Sequence, residues 1–146
     1  MAENIELRIS NGYYQFALQE AQAALARHPK DPRFHYLAGE AHRSMAEDPK
    51  GTAREDAIRR RVRLDSMLIA KHRAGAPAEL ADASASYQKA LDADPAYFRA
   101  HRGLGLVARR MGKKDDARRE LGLYLAQGRD VPDRRYIRRL IEEMRT

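Results

Sequence analysis

Residues 87–105 read YQKALDADPAYFRAHRGLG. Ala90 and Leu91 belong to a helical pattern, Asp94-Pro95 stops it, and Gly103 and Gly105 then sit inside what otherwise reads as a new helix. A proline pushes the residue before it out of the helical region, so a helix ends there. Glycine in a helix interior costs about 1 kcal/mol relative to alanine. Close approach of a neighbouring helix, with room only for small side chains, is the physical candidate for offsetting that cost. The stretch therefore predicts two helices folded into a hairpin.

Working outward, the pattern repeats. Ala83 opens ASASYQKALDADP and Ala117 opens ARRELGLYLAQGRD, 34 residues later. In this register Tyr87 matches Leu121, and Ala90-Leu91 matches Tyr124-Leu125. An earlier copy places Ala17, Ala24-Leu25 and Pro29 at the offsets of Ala83, Ala90-Leu91 and Pro95. A second kind of helix alternates with these. It carries Leu104-Gly105, followed by Gly112 at a turn, and Ala38-Gly39 in the corresponding place after Pro32. Fixed-period self-similarity is the mark of stacked supersecondary units. Close packing of the small residues against Ala83 and Ala117 is the expected contact.

These residues resemble the tetratricopeptide repeat, TPR. Its unit is an antiparallel pair, helices A and B, with Leu-Gly in A, Gly at the turn, Ala and an aromatic in B, and a closing Pro. Leu104, Gly105, Gly112 and Ala117 fill four of these places in one unit, and Ala83, Tyr87, Ala90 and Pro95 fill four in the unit before. Departures are His101, Ala108 and Tyr124. The resemblance implies an all-α helical-hairpin repeat solenoid across one domain, residues 1–146. Hairpins are expected at 1–29, 32–95 and 96–128, with a C-terminal capping helix at 131–145.

The middle is irregular. The second helix-B alanine is due near residue 51 and arrives at Ala83, so residues 47–77 are either an insertion between helices A and B of one unit or a decayed full repeat. Residues 53–74 contain no Gly or Pro, so one long inserted helix is expected between EDPKGT and AGAP. Ile58, Val62, Leu68 and Ile69 fall near one side of it, with Arg59, Arg60, Arg61 and Arg63 mainly elsewhere. Such a helix covers its own solenoid, completes a homodimer or lies on an anionic surface. At the end, Tyr136, Ile137, Leu140, Ile141 and Met144 recur at helical spacing after the start signal Pro132-Asp133. Repeat stacks need such polar-faced ends.

Composition excludes several classes of function. There is no cysteine, hence no disulfide, thiolate nucleophile or thiolate metal site. The residues following the five histidines are Pro, Tyr, Arg, Arg and Arg, so no HExxH motif exists, and no cofactor is expected. A metal held by His35, His42 and Glu40 on one helix side is disfavoured against packing. GLGLVARRMG lacks the strand and Lys-Ser/Thr of a phosphate loop, and no serine stands in a nucleophile elbow. No enzyme activity is expected. No apolar run is long enough to span a bilayer. The first ten residues lack the basic start and apolar core of a secretory signal. A cytoplasmic location is expected if Met1 is the natural start, and a periplasmic one stays open if the chain is part of a longer protein.

What remains is a surface. The formal charge is +7, carried mostly by arginine, which favours acidic partners. In the family, A helices line a concave groove. The matching positions here are Arg33, Tyr36, Glu40 and Arg43 in one unit and Arg99, Arg102, Leu106, Arg109 and Arg110 in another. The resemblance implies a protein-interaction scaffold that holds a partner protein or acidic peptide there through guanidinium contacts. Nucleic-acid binding through the arginine-rich faces is the disfavoured alternative, because no aromatic stacking platform accompanies them. The closing stretch also resembles the TPR tails of some bacterial envelope zinc metallopeptidases, whose own metal motif this chain lacks.

Overall fold

The computed structural model describes residues 1–145. In chain order the helices are α1 (Ala2–Ser10), α2 (Tyr14–Arg27), α3 (Pro32–Glu47), α4 (Pro49–Arg60), α5 (Ser66–Ala74), α6 (Ala76–Ala93), α7 (Arg99–Arg110), α8 (Lys114–Gln127) and α9 (Arg134–Glu143). No strand occurs among the described residues. Local chemistry sets several starts. Asp31 accepts from the Arg33 N–H ahead of Pro32, and Asp48 accepts from the Gly51 N–H ahead of Pro49. Both satisfy a donor that the first turn would otherwise leave orphaned, and proline at the first helical position gives up no bond.

The hairpins are α1/α2, α3/α6 and α7/α8, so α3 finds its partner across the intervening α4 and α5. The A helices α1, α3 and α7 pack in one layer, α1 on α3 and α3 on α7. Gly39 and Gly105 are each explained by their own B helix. A β-carbon on Gly39 would lie 2.7 Å from the Tyr87 ring, and one on Gly105 would lie 2.6 Å from Leu121. The close approach is thus centred on Tyr87 and Leu121. Ala83 and Ala117, the expected contacts, are fully buried but are not what the glycines meet. Gly103 closes on Tyr87 from the next repeat, so the ring is held between two glycines of different hairpins. At the C-terminal end, Ile137, Leu140 and Met144 cover Leu106, Leu121 and Tyr124.

The inserted segment departs from expectation. In place of one helix over 53–74 there are two, joined at a sharp reversal. Arg61 adopts the left-handed conformation, φ 54 and ψ 42, and the Val62 N–H bonds back to the Ala57 carbonyl. This closes α4 as a Schellman turn does, without the usual glycine. Asp65 then caps α5 by accepting from the Leu68 N–H at 2.9 Å. The expected inner face is also wrong, because α4 buries Gly51, Thr52, Ala53, Glu55 and Ala57 and leaves Ile58 exposed. The Glu55 carboxylate accepts from the Gln15 and Phe16 N–H groups, fastening α4 to the first turn of α2.

Candidate partner-binding face

On α3, Arg33, Tyr36, Glu40 and Arg43 recur every three or four residues, and on α7 Arg99, Arg102, Leu106 and Arg109 do the same. Each set therefore lies along one side of its helix. Packing then sorts them. The Tyr87 hydroxyl donates to Glu40 at 2.5 Å and accepts from the Arg43 Nε at 3.0 Å. Arg43 also pairs with Glu40 at 2.9 Å and Glu47 at 3.1 Å. Burial, followed by the Glu40 charge, pushes the Tyr87 phenol well above its ordinary value. It stays a neutral donor at the centre of the network.

Arg102 is likewise engaged, donating from Nε to Asp133 at 2.6 Å, while the Tyr124 hydroxyl donates to the other carboxylate oxygen at 2.6 Å. Burial and then the bond to Asp133 raise the Tyr124 phenol to about 12. Burial alone would raise the Asp133 carboxyl, but the donors on Tyr124 and Arg102 outweigh it and hold it below the usual range. The stability this carboxylate contributes is therefore present above its unfolded value, near pH 4. It is lost as pH falls through the lower folded value. Asp133→Asn is expected to be about 1 kcal/mol less stable at neutral pH and to lose less on acidification than the parent. Thermal unfolding followed across the acid range checks this, and parallel curves would refute it.

The remaining positions differ in availability. Leu106 is 7% exposed beneath α9 and offers a partner almost no surface, because the cap takes the place of a further A helix. Arg33 is exposed but paired with Asp31 at 2.8 Å. Arg99, Arg109 and Arg110 are exposed and form no ion pair among the described residues. Near Arg99 and Arg33 lies an aromatic run in which Tyr36 stands 5.9 Å from Tyr87 and 5.5 Å from Tyr97, centroid to centroid. The Tyr36 and Tyr97 hydroxyls make no hydrogen bond among the described residues. Burial raises both phenols, so each stays a neutral donor.

Some partners were out of reach of the sequence. Tyr124, a departure from the repeat pattern, and Asp133, nine residues on, show no spacing that would link them to Arg102. Gly103 was visible as a glycine, but its contact with Tyr87 was not.

Four of the five histidines reach a hydrogen-bond partner among the described residues. His35 reaches the Pro29 carbonyl, His72 reaches Asp56 and His101 reaches Glu120. His42 turns to Glu79 at 2.7 Å, away from His35. With Asp82 these two place ligand atoms within 4.8 Å of one another, the set among the described residues with the types and spacing a divalent cation uses. No helix among the described residues is long and apolar enough to cross a membrane.

A family model described as Tetratricopeptide repeat matches residues 6–49 and 78–133, more than half of the chain. The gap between the two matched stretches contains α5 and all but the first residue of α4. No curated protein matches the chain.

Proposed function

The chain belongs to the tetratricopeptide repeat family, whose repeats generally mediate protein–protein interaction, and we propose that it is a non-catalytic scaffold holding an acidic segment of a partner protein. The observation that carries this reading is the set of exposed, unpaired guanidinium groups of Arg99, Arg109 and Arg110 along one side of α7, with Tyr97 just before its first turn and Tyr36 on the adjoining α3. Tyr and Arg are the residue types that dominate binding hot spots. Guanidinium groups engage carboxylates with two parallel bonds. Arg43 and Arg102, already engaged by internal carboxylates, serve as a rigid floor under the ligand rather than as its contacts. Rigid support reduces the ordering cost of binding.

Fluorescence anisotropy with a labelled Asp/Glu-rich peptide tests this. Arg99→Glu with Arg109→Glu is expected to weaken capture by about tenfold or more and to leave the circular dichroism unchanged, since two exposed charges are reversed. Binding should also weaken with added salt. Unchanged affinity in the double variant removes this face from the account. Preference for single-stranded nucleic acid over the peptide removes the acidic-partner reading.

A further inference from the structure

Helix α5 contains no buried residue. At nine residues it is too short to persist alone, and it is held by α4, including the bond from His72 to Asp56 at 2.9 Å. Around the reversal, Ile58 is 61% exposed, Val62 47% and Met67 80%. Val62, Met67 and Leu68 line an open depression of about 450 Å³ together with Arg60, Arg63 and Lys71. Isolated exposed apolar side chains are ordinary, but a group of them at one projecting turn calls for a covering surface.

The charges around this turn narrow the choice of cover. Arg61, Arg63, Lys71 and Arg73 form no ion pair among the described residues, while Arg60 reaches Asp56 at 3.6 Å and Arg59 bonds the Gln15 amide. Asp65, the nearby acid, accepts the helix-capping bond of α5. A second copy docking symmetrically would set these unpaired cations against themselves, since a two-fold contact joins identical patches. The solenoid of the same chain is already engaged by the other side of α4. Several cations gathered around an exposed apolar turn match a fluid sheet of negative charge better than one fixed peptide.

We propose that the α4–α5 turn docks this protein onto an anionic lipid surface. Val62 and Met67 enter the headgroup boundary, and Arg61, Arg63 and Lys71 engage lipid phosphates. Interfacial binding of this kind combines apolar burial with attraction to anionic lipid, and each juxtamembrane cation contributes separately. It needs no spanning helix.

The test uses the 146-residue chain in co-sedimentation with vesicles of phosphatidylcholine alone and of phosphatidylcholine with one third phosphatidylglycerol. Binding is expected to the anionic vesicles only. Val62→Asp with Met67→Asp, and separately Arg61→Glu with Arg63→Glu, should each lower partitioning by about tenfold or more. Because the chain has no tryptophan, Met67→Trp gives a single reporter whose emission should shift to the blue with anionic vesicles and stay fixed with neutral ones. Failure to bind anionic vesicles, equal binding by either double variant, or an unshifted reporter overturns the proposal. A dimer in light scattering that Val62→Asp with Met67→Asp dissolves, with no vesicle binding, assigns the turn to a second copy instead. None of these outcomes bears on the α3–α7 face.

Discussion

Gly103→Ala is expected to destabilise the protein by about 2 kcal/mol, although the same exchange in an ordinary helix interior is worth about 0.5 to 1 kcal/mol of added stability. The reason is the Tyr87 ring, which a β-carbon at position 103 would overlap. The ring has no retreat. It is fully buried, Gly39 also crowds it, and its hydroxyl is held by Glu40 and Arg43. Added volume in such a place forces neighbours off their rotamers or shifts backbone, and overpacking costs about 1 to 3 kcal/mol. Gly122→Ala is the internal control. It lies inside α8 with nothing within 4 Å of its missing β-carbon, so the ordinary gain should appear there. At this chain length 1 kcal/mol moves Tm by about 2 to 4 °C. The two variants should therefore move the melting temperature in opposite directions. If Gly103→Ala melts at or above the parent, the glycine clamp on Tyr87 is not what joins the second and third hairpins.

Glu55→Ala is the second large effect, an expected loss of about 2 to 3 kcal/mol. Helix α2 begins at Tyr14, and its own N-cap residue, Tyr13, offers no side-chain acceptor. The acceptor comes from α4, where Glu55, 4% exposed, takes the Gln15 N–H at 2.8 Å and the Phe16 N–H at 2.9 Å. A carboxylate at the positive end of a helix is favourable. Removing it leaves two partly buried donors without partners, which costs more than the bonds themselves contributed. Glu55→Gln keeps one acceptor and should lose about half as much. Hydrogen exchange separates local from global effects. The Gln15 and Phe16 amides should lose protection in Glu55→Ala before the amides of α7 and α8 do. Uniform loss across the chain would contradict a local capping role. Because Arg59 also bonds Gln15, detachment of this corner should free the α4–α5 hairpin as a unit.

The sequence carried the repeat and the place of the insertion but missed the turn inside it for one physical reason, the range over which each is encoded. Helix identity, period and the Asp31-Pro32 start are local, so alternating small residues and caps display them directly. The reversal at Arg61 depends on a left-handed arginine, which costs about 1 to 2 kcal/mol and persists because α5 packs back on α4. No residue type marks it. The Asp65 cap was the one local signal available. The candidate face divides similarly. Spacing alone set Arg33, Tyr36, Glu40 and Arg43 on one side of a helix, and Arg99, Arg102, Leu106 and Arg109 on one side of another.

What the sequence determined by itself is that this chain is all helix, built on a 34-residue repeat of hairpins, with an excess of arginine. Tertiary structure alone decided which of those arginines remain available. Arg43 meets Tyr87, 44 residues away, and Arg102 meets Asp133, 31 residues away, while Arg99 and Arg109 meet no acid among the described residues. It also decided that Tyr87 lies between two glycines and that Glu55 caps a helix 40 residues behind it. These contacts join separate helices at distances in space that have no counterpart in sequence spacing. Periodicity names the face of a helix; only docking chooses what that face touches.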